Sequence, residues 1–177
     1  MTRRSTVHNT FVINRSFAFK REWVFAAWTS AAAKSQWFVG PAGWQAQLRE
    51  LDFRVGGREQ LIGRRPDGSV SRFDSRYHEI VPDERIVYVY DMYTDDVHTS
   101  TSLATIEFAA AGQGTQLVIT EQGVFLDGRD DARGREQGTN ILIDQLERAL
   151  QRGSLSDYWT GWVAATLTVP RLVASTT

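Results

Sequence analysis

The chain has 177 residues, 42% apolar and 23% charged, with a net charge of −1 and no cysteine. That length fits one domain with a single core, and the missing thiols exclude a disulfide framework, a thiolate metal site and a cysteine nucleophile. Near-neutral charge excludes a global pull toward nucleic acid or an acidic membrane, and no apolar run reaches the roughly 18 residues of a membrane span. The N-terminus lacks a signal-peptide core, so a cytoplasmic location is expected.

Residues 1–9 are polar and read as a loose lead-in. Residues 10–19 alternate, with Phe11, Ile13, Phe17 and Phe19 among polar neighbours, which predicts a first strand. The period then changes: Val24, Phe25, Ala27 and Trp28 make a helical face within residues 21–30. A second short helix over 31–38 ends in Trp37-Phe38 and is broken by Gly40-Pro41-Ala42-Gly43. Strands follow at 44–53, 58–65, 70–81, 85–93, 102–109 and 115–125. Val55-Gly56-Gly57, Pro66-Asp67-Gly68, Pro82-Asp83 and Ala111-Gly112-Gln113-Gly114 supply sharp turns or a bulge, and 94–99 reads as a longer polar loop.

Residues 130–153 form the last long amphipathic segment. Leu142, Ile143, Leu146, Ala149 and Leu150 fall on one helical face, Asp130 and Asp131 are N-cap candidates, and Gly153 stands where the helix stops. Such a stripe needs a partner. Tight turns between successive strands predict an antiparallel meander whose concave face receives this helix, an α+β architecture of six to seven strands. Alternation aims Leu51, Phe53, Leu61, Phe73, Tyr77, Tyr88, Tyr90, Met92, Ala104, Ile106, Phe108, Leu117 and Ile119 inward.

Several motifs carry a family likeness. Leu51-Asp52-Phe53-Arg54-Val55-Gly56-Gly57-Arg58 resembles a "DxRxGG" signature. Trp23-Val24-Phe25 with Trp28, the segment Lys34-Ser35-Gln36-Trp37-Phe38, a "YxEIxPxERIV" hairpin (Tyr77 to Val87) and Gly114-Thr115-Gln116-Leu117 follow in the same register. Together they resemble bacterial homologues of the C-terminal domain of the activator of a heat-shock chaperone ATPase (AHSA-type). These belong to the START-like, birch-allergen-like (SRPBCC) helix-grip superfamily, and the likeness covers about residues 10 to 151. It implies a helix-grip fold over 1–153, a ligand space between sheet and last helix, and a chaperone as a further partner. Two positions depart from the pattern. Gly138 is followed by Thr139 and Asn140 instead of a tryptophan, which should open one end of the cavity, and Glu59 replaces an aromatic after the glycine pair.

The candidate pocket residues are Trp37, Phe53, Leu61, Phe73, Tyr77, Tyr88, Tyr90, Ile106, Ile119, Glu121, Thr139, Leu142, Ile143 and Leu146. They would receive a small apolar or amphipathic molecule or else fill a core. Glu121 shares the inward parity of Leu117 and Ile119. It is either paired with an arginine at the sheet rim or a pocket carboxylate of raised pKa, a candidate catalytic base that, like a tyrosine of the pocket, could serve a cyclase-like or hydrolase-like activity. Asp95-Asp96-Val97-His98 offers metal-ligand residue types without a second nearby histidine, and Arg64, Arg65, Arg72 and Arg76 read as a solvated hairpin. No cofactor, metal, nucleic acid or stable membrane insertion is expected. Residues 154–177 carry Tyr158, Trp159, Trp162, Val163, Leu167 and Val169; this aromatic stripe must be covered by its own sheet or by a second subunit, and a homodimer is the favoured expectation.

Overall fold

Alternation over most of the chain becomes seven antiparallel strands. A computed structural model describes residues 4–158, with β1 at Thr6–Phe17, α1 at Arg21–Ala26, α2 at Ala31–Lys34, β2 at Gln45–Leu51, β3 at Arg58–Arg64, β4 at Val70–Val81, β5 at Arg85–Thr94, β6 at Val97–Ala111, β7 at Gly114–Leu126 and α3 at Ala132–Gln151. The strand order is β1-β7-β6-β5-β4-β3-β2. The meander therefore runs from β2 to β7, and β1 returns to flank β7, with Thr6 opposite Leu126 and Phe17 opposite Thr115. This is a curved α+β helix-grip architecture, with α1 and α2 inserted between the edge strands.

Two expectations about loops are overturned. Residues 6–9 belong to β1, because β7 extends to Leu126 and supplies backbone partners where the side chains give no apolar signal. Asp127 clamps that end, accepting from Ser5 N at 2.8 Å and from Arg4 Nη1 at 2.7 Å. The segment 94–99 is not a long loop. Asp95 and Asp96 make a tight turn at positive φ (49° and 62°), which short polar side chains tolerate, and β6 starts at Val97. The Asp95 carboxylate also accepts from Val70 N at 2.8 Å.

The family-like glycine pair closes the turn between β2 and β3. Gly57 passes so near Asp52 that a Cβ would lie 2.1 Å from its carbonyl oxygen, so no other residue fits there. Gly56 N donates to Tyr77 O at 2.8 Å, tying the turn to β4.

Inside the sheet, every residue that alternation aimed inward lies in or against one of two apolar clusters. The larger joins Phe25, Trp28, Trp37, Ile86, Phe108 and Leu117 with Ile143, Leu146, Ala149 and Leu150 of α3. The smaller holds Phe73, Tyr90 and Ala104. Trp37 Nε1 donates to Ala27 O at 2.9 Å, so a buried indole fastens the segment after α2 to the end of α1. Asp131 caps α3, accepting from Gly134 N at 2.8 Å, and Gly153 leaves the helix at φ 70°. Just beyond it Leu155 is fully buried and Tyr158 packs against the main cluster. The dimerisation expected of the tail rests mainly on Trp159, Trp162, Val163, Leu167 and Val169, which lie outside the described residues.

Leu146, with no exposed surface, marks where α3 meets the sheet. Leu146→Ala should lower unfolding free energy by about 2–5 kcal/mol in urea titrations. A loss below about 1 kcal/mol would mean that this turn of α3 is not the packing contact described.

Candidate functional site

The two halves of α3 meet the sheet differently. Its C-terminal half carries Ile143, Leu146, Ala149 and Leu150 and is packed shut, whereas its N-terminal half carries Gly134, Gly138 and Thr139. Gly138 has no neighbour within 4 Å of where a Cβ would stand. Small side chains there leave the concave face unfilled. The result is a cavity of about 890 Å³ bounded by the N-terminal half of α3, the segment after α2 and the inner faces of the sheet. A volume on the order of 300–1,000 Å³ is typical of small-molecule pockets.

Eleven of the fourteen candidate pocket residues border it: Trp37, Leu61, Phe73, Tyr88, Tyr90, Ile106, Ile119, Glu121, Thr139, Leu142 and Ile143. Phe53, Tyr77 and Leu146 do not; they pack in the larger core cluster instead. At the rim stand Val39, Pro41, Val97 and Ile141, of which Val97 and Ile141 are 40% and 49% exposed. The side-chain amide of Gln145, oriented to satisfy its own atoms, donates to Val39 O at 3.2 Å and also to Trp37 O, fixing α3 to this rim.

One end of the cavity is polar. Arg135, on α3, donates from Nη1 to Tyr90 Oη at 2.7 Å and from Nη2 to Ser100 Oγ at 2.8 Å, and it is ion-paired with Asp130. Ser100 Oγ donates to Asp130 Oδ2 at 3.2 Å. Since Tyr90 accepts from Arg135, its own proton goes to Glu121 Oε1, 2.5 Å away. The direction of each link is thereby set, and the chain ends on Glu121. Arg135 Nη1 lies 3.6 Å from that carboxylate, so the arginine partner of Glu121 comes from α3 inside the cavity and not from the sheet rim.

Glu121 is 3% exposed. Burial raises its pKa above the ordinary carboxylate range, and Arg135 and the Tyr90 hydroxyl offset this only in part. Burial likewise raises the Tyr90 phenol, with the Arg135 charge acting against it. Chemically, this end can hold a proton beside an apolar space and release it to a hydrogen-bonding group placed there.

A second buried cluster lies behind the cavity wall. Lys34 Nζ and Glu59 Oε2 are 2.6 Å apart with both side chains 1% exposed, and Tyr77 Oη donates to the same oxygen at 2.7 Å. Lys34 Nζ also sits 4.5 Å from the Phe38 ring centroid. Burial lowers the Lys34 pKa, and the Glu59 charge pulls in the other direction. Glu59, the departure from the family's aromatic, is thus one half of a buried ion pair.

Of the remaining sequence candidates, Arg65, Asp95 and Val97 border the cavity, and Arg64, Arg72, Arg76, Asp96 and His98 do not. His98 stacks on Tyr93 at 5.0 Å and places Nε2 3.2 Å from Asp91. Among the described residues no three metal-ligating side chains cluster. Arg72 lies over Tyr93 at 3.9 Å and Arg65 over Trp44 at 5.2 Å. No described helix is long and apolar enough to cross a membrane. Sequence reasoning missed Arg135, although its spacing to Thr139, Leu142, Ile143 and Leu146 puts it on the apolar face of α3. It also missed the pairing of Lys34 with Glu59, for which spacing carried no signal.

A sheet closed over one long helix, with a half-open space between them, defines the helix-grip class of ligand-binding or interaction domains. The chain belongs to the family described as Activator of Hsp90 ATPase homolog 1-like protein, whose model matches residues 18–151. A structure of an uncharacterised protein from Rhizobium leguminosarum is similar, with 44% identity and a TM-score of 0.81 over 85% of this chain and 99% of that one. So is the Mll3558 protein of Rhizobium loti, at 40% identity and a TM-score of 0.75 over 81% and 98%. Protein CV1439 of Chromobacterium violaceum shares 27% identity with a TM-score of 0.67 over 79% and 95%. No curated protein matches the chain.

Two predictions test these clusters. Because the folded-state pKa of Glu121 is raised, its favourable contribution is complete below the ordinary value near 4.5 and is lost as pH rises toward the folded value. Against Glu121→Gln, wild-type unfolding free energy should therefore fall as pH climbs from about 4.5, in urea titrations across pH; a pH-independent difference would refute it. Lys34→Met, which strands the Glu59 carboxylate, should cost about 3–5 kcal/mol, and the double variant Lys34→Met/Glu59→Leu should recover most of it. An additive double variant would show the pair is not coupled.

Proposed function

We propose that this protein binds a small apolar or amphipathic molecule in the cavity under the N-terminal half of α3. The observation that carries the reading is the cavity itself: about 890 Å³, walled by aromatic and aliphatic side chains, with a few convergent polar groups. Phe73, Tyr88 and Tyr90 line one wall with ring centroids 5.0–6.4 Å apart, a surface suited to flat or extended apolar ligands. The reading is supported by the helix-grip architecture and by the space left where α3 carries Gly138 and Thr139. A second reading, a chaperone partner whose ATPase is stimulated, is favoured by the family description alone.

Thr139→Trp separates the two. An indole at Thr139, which borders the cavity, fills it without touching the packed half of α3. Thermal shift and titration calorimetry with 1-decanol and a panel of sterols and aromatic polyketides should give at least one binder on wild type. That binder should bind at least about tenfold more weakly to Thr139→Trp, with unfolding free energy changed by less than about 1 kcal/mol. Absence of any shift across the panel would refute the cavity reading. Chaperone ATPase stimulation that is equal in wild type and Thr139→Trp would favour the second reading.

A further inference from the structure

Among the described residues, one arginine of the cavity wall has a buried guanidinium nitrogen without a hydrogen bond. Arg49, on β2, is partly buried and borders the cavity. Its Nη2 donates to the Phe38 carbonyl and its guanidinium carbon lies 5.9 Å from the Phe38 ring centroid, while Nη1 is buried and makes no hydrogen bond. The carboxylate that acts on it, Glu59, is held through Oε2 by Lys34 and the Tyr77 hydroxyl; its Oε1 is buried without a hydrogen bond and stays beyond ion-pair distance of Arg49. The other cavity arginines are committed or outside. Arg135 is bonded to Tyr90, Ser100 and Asp130. Arg65 stacks on Trp44, and Arg129 is exposed.

An unsatisfied guanidinium nitrogen in an apolar wall is costly, and removing that cost requires an acceptor, best a charged one. The charges are also distributed unevenly. Around Arg49, two cations (Lys34 and Arg49) face one carboxylate, Glu59; at the far end, the carboxylates of Glu121 and Asp130 are paired with Arg135, and Arg129 stands exposed beside them. Those ends stand on β2 and β7, five strand spacings apart, roughly 24 Å around the curved sheet. Between them the lining is Phe73, Tyr88, Ile106 and Ile119. Such a cavity takes a molecule with one anionic end and an apolar body, in one orientation.

We infer that the ligand is an amphipathic carboxylate whose head group pairs with the Arg49 guanidinium and whose apolar body runs along the inner sheet toward Ile119. The inference rests on the cavity reading above and adds the head-group chemistry and direction. A planar carboxylate matches the guanidinium fork, and desolvation beside the aromatic wall strengthens the pair. The reverse orientation is disfavoured because the cation at the far end, Arg135, is already committed to Tyr90, Ser100 and Asp130.

The test compares decanoate with 1-decanol, of equal chain length, by calorimetry on the full chain near neutral pH and low salt. Decanoate should bind at least about tenfold more tightly to wild type, and Arg49→Gln should weaken decanoate at least about tenfold more than it weakens 1-decanol, abolishing that preference. In wild type labelled with ¹⁵N, the Arg49 Nε–H signal should shift with decanoate and not with 1-decanol, an observation that needs no variant to fold. Equal affinities on wild type would overturn the head-group assignment and leave the cavity reading standing. A preference that survives Arg49→Gln, or a decanoate shift at Arg135 in place of Arg49, would overturn it as well. Binding of neither compound would overturn both.

Discussion

Burial of one stripe of α3 against the concave face of the sheet is the contact on which the rest depends. Ile143, Leu146, Ala149 and Leu150 are all under 4% exposed, and each large apolar side chain buried contributes about 1.5–3 kcal/mol. The same helix continues toward its N-terminus with residues too small to complete the contact. A rigid packed half thus holds an unpacked half at a fixed height over the sheet, and the cavity follows from that division. Asp131 and Gln145 secure the open half, one by capping the first turn and the other by binding the carbonyls of the rim.

Two groups of charges are sunk into this framework, and they differ in kind. Lys34, Glu59 and Tyr77 satisfy one another behind the wall, where desolvation is offset by a short ion pair and a phenolic hydrogen bond. Glu121 faces the cavity, accepting from Tyr90 and ion-paired with Arg135, which is shared with Asp130 and Ser100. The first arrangement lies behind the cavity wall and leaves only Glu59 Oε1 without a hydrogen bond. The second, with the unsatisfied Arg49 Nη1 on the opposite side, leaves polar capacity directed at the space between. Buried polar capacity of that sort is a mark of sites that recognise something, whereas the fold alone is compatible with many activities.

Closure of the sheet by β1 has a consequence for the site. β7 carries Ile119 and Glu121 and would be an edge strand without β1; pairing of Phe11 with Glu121 and of Ile13 with Ile119 makes it an internal one. Strand β2 remains an edge, and Arg49 lies on it. The carboxylate end of the cavity is therefore held by backbone on both sides and the arginine end on one.

Periodicity along the chain was enough to determine the strands, the last helix and the inward set from Leu51 to Ile119, because side-chain alternation and the 3.6-residue repeat are local properties of the backbone. The same parity put Glu121 inside. What periodicity could not determine were partnerships between distant segments. The pairing of residues 6–9 with β7, the burial of Thr99 in a strand where polarity suggested a loop, and the choice of Lys34 as the partner of Glu59 all depend on which backbones the fold brings together. Arg135 lay between these cases: its helical face was readable, but only the sheet opposite decided that the face meets Tyr90 and Ser100. Arg49 is the extreme one, since an unsatisfied guanidinium nitrogen is defined by the absence of an acceptor, and neighbours are a property of the tertiary structure.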